Sequence, residues 1–412
     1  MKAPWIYLFT LAGSLFFAAC HDSDREEPDT PRRDIALSTK SVAINRETQR
    51  FSVDFLRLVA AEGETNCCIS PLSASLCLGM ILNGADGETY DEILRTLGYE
   101  GYTPTEINEY VRTMQTELPR LDGKTEFTNA NSLWLRENYP VLPEFVDVNR
   151  TYYQADVYNE PFDATTLKRI NQWCSDHTRG LIPQMIDEIP SDGIAYLVNA
   201  LYFKGKWSHE FKKENTREAD FHRADGSAIR VPMMQQTVRA RYYSDAEVRI
   251  VELPYGNEAF SMILFLPADP EQTSVSDLLA TLTPEKWDQW TAGFYLASIQ
   301  LSLPRFQLEY KKELNETLEA AGIRQAFDPV LADFTKLSER RPYLSLVRQK
   351  TYIEVDESGT KAAAVTIGGM FESAALPDRE PLELRFDHPF GFVIREKSTN
   401  AFLFAGKIGK PI

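Results

Sequence analysis

One stretch, Glu357 to Ser373, constrains the fold of this chain more than any other. It reads Glu-Ser-Gly-Thr-Lys-Ala-Ala-Ala-Val-Thr-Ile-Gly-Gly-Met-Phe-Glu-Ser and follows a strand-like run, Tyr352 to Asp356. It has neither the bulk of a core strand nor the polarity of an ordinary loop, contains no proline, and carries only Lys361 and Glu372 as internal charges. One alternating face, Thr360, Ala362, Ala364, Thr366, Gly368 and Met370, is mostly small and uncharged and has the period of a strand. Such a segment is compatible with two states, an exposed loop and a strand slid between two others. Proline or a buried charge on that face would forbid the second state.

The whole chain, 412 residues, is long enough for one large domain or two smaller ones with a sizeable core. Its net charge of −16 argues against a nucleic-acid partner and against attraction to anionic lipid. Lys212-Lys213 and Arg340-Arg341 read as solvated surface. Residues 1–20 carry Lys2, an apolar run from Ile6 to Phe17, and Ala18-Ala19-Cys20. That is a secretory signal whose end resembles a bacterial lipobox, although Phe17 stands where an aliphatic residue is usual. The resemblance implies lipidation of Cys20 as the first mature residue; the alternative is an uncleaved membrane helix or a plain signal peptide. Nine of the fourteen residues from His21 to Asp34 are charged and two are proline, so residues 21–35 read as a disordered tether. Cys67, Cys68, Cys77 and Cys174 read as small core residues rather than a disulfide framework or metal site.

Order begins near Ala36. Phe51 to Ala60 has helical spacing, and Ser70-Pro71 opens a helix apolar on every side to Leu82, stopped by Asn83-Gly84. Glu88 to Leu97 and Lys311 to Ala321 read as helices ending at glycine, and Asn129 to Leu135 as a strand. Tyr196 to Trp207 is apolar on both faces, as a central strand is, and places Asn199 where its amide needs partners. No nucleophile elbow, zinc-binding His-Glu-x-x-His pair or phosphate-binding glycine loop occurs, and the five histidines are scattered. Neither a cofactor nor a metal is implied, and no enzyme activity is expected.

Glu357-Ser358-Gly359-Thr360 with Ala362-Ala363-Ala364 resembles the hinge of the reactive-centre loop of serpins, the serine-protease-inhibitor family. Asn66 to Leu76, Asn129 to Leu135, Asn199 to Trp207, Leu303 to Phe306, Asp333-Phe334, Ile353 to Ala364 and His388-Pro389-Phe390 are similar to serpin blocks and come in serpin order. The resemblance implies one mixed α+β domain over residues 36–412, with three sheets, eight or nine helices and an exposed reactive loop at about 357–385. It places Ser70, Ser73 and Asn199 at the shutter, where strands part, and Trp207 at the breach, where the loop enters. Gln349 stands where most serpins have a shutter histidine; an amide is still able to bond Asn199 but does not titrate.

The function implied is irreversible inhibition of serine, and by extension cysteine, endopeptidases through insertion of the cleaved loop. The family's spacing from Gly359 puts the reactive bond at Ser373–Ala374, with Phe371–Glu372 second. Elastase-, subtilisin- or chymotrypsin-like enzymes are the expected partners, and Arg379, followed by Glu380-Pro381, is expected to be cut without inhibition. The rival readings are a non-inhibitory protease substrate and a cell-surface binding lipoprotein. The small hinge residues argue against both. The expected state is an exported monomer, lipid-anchored at either face of the outer membrane or released, with the anchor as its only membrane contact.

Overall fold

The structure is a computed structural model that describes residues 30–189, 193–360 and 380–411. Among them are nine α-helices: α1 Thr39–Ala61, α2 Pro71–Leu82, α3 Gly87–Leu97, α4 Pro104–Glu117, α5 Pro143–Tyr153, α6 Ala164–His177, α7 Val275–Ala280, α8 Pro284–Ala292 and α9 Asn315–Ala321. The strands before residue 250 are β1 Asn66–Ile69, β2 Thr125–Arg136, β3 Asp156–Glu160, β4 Ala195–Lys206, β5 Arg217–His222, β6 Ala228–Ser244 and β7 Val248–Tyr255. Then come β8 Phe260–Pro267, β9 Tyr295–Pro304, β10 Phe306–Glu313, β11 Arg348–Asp356 and β12 Gly359–Thr360. The last three are β13 Leu382–Arg385, β14 Phe390–Glu396 and β15 Phe402–Ile408.

The strands form a mixed α+β fold. One sheet has the order β10-β11-β12-β4-β2-β3, and the other β1-β15-β14-β8-β7-β6-β9-β13 with β5 also on β6. The long β6 fuses two of the three sheets expected from sequence. Its residues 228–233 pair with β5 and 241–244 with β7, while β9 runs alongside the middle. The main core lies between the sheets and includes α1 and α2, and α6 seals a smaller cluster of Trp134, Ile170, Trp173 and Val198 on the six-stranded sheet.

Helix α2 obeys its sequence. The Ser70 hydroxyl accepts the Ser73 N–H at 3.2 Å, Pro71 occupies the first turn, and every residue of the helix except Cys77 is buried. The expected helix from Lys311 to Ala321 is shorter, because Lys311, Lys312 and Glu313 belong to β10 and pair with Lys350, Gln349 and Arg348. Leu308 and Tyr310 are buried while Gln307, Glu309 and Lys311 are exposed, so the strand period runs on to Glu313.

Candidate functional site

Strand β11 turns its odd-numbered residues, Gln349, Thr351, Ile353 and Val355, inward. It ends in a tight reversal built by Asp356. One carboxylate oxygen, Oδ1, accepts the Ser358 N–H at 2.8 Å, the Ser358 hydroxyl at 2.6 Å and the Gly359 N–H at 3.2 Å. The chain then returns as β12, wedged between two long strands. Gly359 pairs with Asp356 and Lys206, and Thr360 with Val355 and Gly205. Only glycine fits at 359: its φ is +144°, and an added Cβ would stand 2.1 Å from the Gly205 carbonyl oxygen.

A cluster of aromatic rings holds this wedge. Trp207 stacks on Tyr255 with ring centres 4.5 Å apart and planes 10° apart, and Phe211 meets Trp207 edge-on. The Trp207 indole N–H donates to the Asp356 carbonyl at 3.0 Å, and its backbone N–H to the Ser358 carbonyl at 2.9 Å. The Tyr255 hydroxyl bonds the Thr360 hydroxyl at 2.8 Å, and burial pushes that phenol's pKa far up.

Glu357 is 2 % exposed yet ionised. Its Oε1 accepts Arg305 Nε at 2.9 Å and the Thr216 hydroxyl at 2.5 Å, and Arg305 Nη2 closes a second bond. Burial opposes the charge, but the bonds from Arg305 and Thr216 outweigh it and hold the carboxyl below its ordinary range.

Further down the sheet, Gln349 bonds the backbone of Ser70 in both directions. Its Oε1 accepts the Ser70 N–H and its Nε2 donates to the Ser70 carbonyl, each at 2.8 Å. The Thr351 hydroxyl donates to the Cys68 carbonyl at 2.7 Å, so β11 is pinned to the junction of β1 and α2. The amide of Gln349 is able to bond Asn199 by type, but among the described residues its partner is Ser70. β4 and β11 share no ladder, β12 parting them at Gly205 and Val355, and Gln349 takes Ser70 as its partner. Asn199 donates to Asn129 Oδ1 at 2.6 Å and Asn131 Oδ1 at 2.8 Å on β2, and its own buried Oδ1 has no partner among the described residues. Cys77 lies against the Asn199 backbone, and burial pushes its thiol up to about 12.

The structure thus gathers Glu357, Gly359, Thr360 and Trp207 at one end of the slot, and Ser70, Ser73, Gln349 and Asn199 in two separate groups lower down. Ala362, Ala363, Ala364, Phe371, Glu372, Ser373, Ala374 and Cys20 lie outside the described residues. Sequence reading missed Tyr255, Arg305 and Thr216 as partners of the hinge. Arg305 was within reach, since the Pro304-Arg305-Phe306 block was singled out without a role. Beyond the slot, β13 pairs in parallel with β9, at the edge of the other sheet. The stretch 361–379 therefore connects two sheets.

The geometry has close counterparts among known proteins. A family model described as "Serpin (serine protease inhibitor)" matches residues 46–411. The leukocyte elastase inhibitor of Bos taurus is 35 % identical over 377 residues, spanning 88 % of this chain and 98 % of that protein. The native-state structure of the thermophilic serpin tengpin superposes with a TM-score of 0.81 at 32 % identity, covering 92 % of this chain and 97 % of the other. Human thyroxine-binding globulin, solved with its hormone, gives a TM-score of 0.79 at 25 % identity, covering 90 % of this chain and 100 % of the other.

Proposed function

The chain belongs to the serpin family, a family of protease inhibitors rather than enzymes, and on that premise we propose that it is a suicide-substrate inhibitor of serine endopeptidases, with cysteine endopeptidases as a second target class. The target supplies the chemistry. Its nucleophile attacks the carbonyl carbon of Ser373, the amine of Ala374 leaves with a proton, and the protease remains bound to Ser373 as an acyl-enzyme. Residues from 361 onward then extend β12 between β4 and β11, pull the protease along, and distort its oxyanion hole before water completes hydrolysis. The intact protein is held from that lower state by a barrier.

The observation that carries this reading is β12 itself. Two residues of the hinge are already hydrogen-bonded to both walls of the slot. Thr360 pairs with Gly205 and Val355, so six residues further in the same register residue 366 comes opposite Asn199 and Gln349. Thr366 would arrive on the same face as Thr360, bringing a hydroxyl donor to the unpartnered Asn199 Oδ1.

Small residues at 373 and 374 favour elastase- and subtilisin-like pockets, with chymotrypsin-like enzymes favoured by Phe371. The likeness to the leukocyte elastase inhibitor of Bos taurus supports the first of these. Mixing the protein with pancreatic elastase, subtilisin and chymotrypsin should give an SDS-stable complex with at least one, and mass spectrometry of the released peptide should place the cut within residues 370–375. Clean cleavage by all three with full retention of their activity would instead favour the non-inhibitory readings. We place the protein outside the cytoplasm, anchored through Cys20; labelled palmitate should enter the wild type and not Cys20→Ala. Equal labelling would overturn the anchor.

A further inference from the structure

The chain has five pairs of adjacent basic residues: Arg32-Arg33, Lys168-Arg169, Lys212-Lys213, Lys311-Lys312 and Arg340-Arg341. A trypsin-like protease takes such a side chain into an acidic pocket and needs the backbone around it extended and free to pair with its own. Four of the pairs are built otherwise. Lys168-Arg169 lies inside α6 and Lys311-Lys312 inside β10. The Lys212 and Lys213 carbonyls accept the Asn215 and Thr216 N–H groups and close a helical turn. Arg340-Arg341 is folded onto Ser338, which accepts both of its N–H groups, the first through the hydroxyl and the second through the carbonyl. Arg341 sits at φ +49°, Arg340 lies over the Tyr139 ring at 5.6 Å, and Pro342 follows.

The first pair is presented differently. Pro31 to Asp34 is exposed and irregular, and among the described residues none of its main-chain groups enters a backbone hydrogen bond. Pro31 fixes its φ at about −65°, within the extended range that a protease cleft accepts. Upstream, Asn257 Nδ2 donates to the Thr30 carbonyl at 2.9 Å and to the Leu121 carbonyl at 2.8 Å, so releasing Thr30 leaves that amide partnered. Downstream, order closes in at once, because Ile35 is buried and its N–H donates to the Ser398 hydroxyl at 3.0 Å. The two arginines also differ. Arg33 is held on Glu117 at the end of α4, whereas Arg32 meets exposed Asp34 at 3.3 Å, a weak surface pair.

We propose that the Arg32–Arg33 bond is a processing site at which a trypsin-like endopeptidase cuts the folded domain free of residues 1–32. Arg32 is the looser side chain and enters the pocket, while Arg33 and Asp34 supply two exposed residues beyond the bond. Cutting after Arg33 would require buried Ile35 to leave its seat. Water adds across the amide, leaving a carboxylate on Arg32 and an ammonium group on Arg33. Ile35, the Arg33–Glu117 pair and the Ser38 cap of α1 all lie beyond the cut, so the domain keeps what holds its first helix. Such a cut turns an anchored protein into a diffusible one. That release rests on the reading that Cys20 is lipidated; the cut does not.

Brief trypsin treatment of the full-length protein, followed by mass spectrometry, should yield a domain beginning at Arg33 before any cut at Arg340 is seen. Arg32→Gln should slow the appearance of a trimmed N-terminus at least tenfold, and Arg340→Gln should leave its rate unchanged. First products beginning at Glu26 or Asp34, or wild-type trimming of Arg32→Gln, would overturn the assignment. On outer-membrane vesicles carrying the protein, the same cut should move the domain into the supernatant. A domain that begins at Arg33 and was already in the supernatant before treatment would overturn the anchor and leave the processing site standing.

Discussion

Glu357 keeps its charge in a place almost closed to water because Arg305 and Thr216 bond it, and that fixes how the hinge responds to acid. Its folded-state pKa lies below the ordinary 4.5, so the clasp contributes fully above that value and is lost as pH falls through the depressed one. Glu357→Gln should lower the thermal midpoint of the intact protein above about pH 5, by the equivalent of roughly 1–3 kcal/mol. The gap to wild type should close as the pH falls through the depressed value, below 4.5, and a gap independent of pH would refute the clasp. Thr360, 3 % exposed and bonded to Tyr255, gives a second prediction. Thr360→Arg puts an unpaired cation into β12, which is already buried, and so works against the starting point of insertion; the stoichiometry of inhibition should rise several-fold, with cleaved protein accumulating beside active protease. At this scale Gly359 and Thr360 were legible because their constraints are local: small size, no charge, and a turn. Their partners were not, since Arg305 is 52 residues from Glu357 and Tyr255 is 105 from Thr360, and one sequence holds no record of such contacts.

The elements were legible where one period dominates. The cap, proline and uniform apolarity of α2 and the two apolar faces of β4 gave those elements to within a residue or two. The β10–α9 boundary was not, because Lys-Lys-Glu is at home in either structure and the ladder to β11 decides. Gln349 shows the same limit: its residue type was plain, but its partner depends on whether β4 and β11 touch. The amide is a two-way bridge to Ser70 at the head of α2. Gln349→Ala leaves that N–H unpaired in the core and the carbonyl with the Ala74 N–H alone, and should cost about 1–3 kcal/mol in chemical denaturation. An unchanged denaturation midpoint would mean that water or backbone repair replaces the bridge. Because the bridge contains no titrating group, its contribution should be the same at pH 6 and pH 8.

For the molecule as a whole, the proposed mechanism implies two arrangements that differ by a strand. In the register of β12, residues to 367 meet β11 and residues to 370 meet β4 before those strands begin. Up to ten new residues thus gain partners, on the order of 10 kcal/mol at about 1 kcal/mol for each net bond. Loop-cleaved protein should melt above intact protein by on the order of 10 °C or more. Replacing Thr366 with Val should trim that gain without affecting the intact form, and equal melting of cut and uncut protein would exclude insertion. The position of Gly359 and Thr360 also has a kinetic consequence. Strand assembly ordinarily has to find its register, and a slip of one residue would turn every small side chain to the wrong face. Here the first stitch is in place before any protease arrives, so the zipper runs in one frame only. On the proposed mechanism, capture is then a race between the addition of successive residues and the arrival of water at the ester.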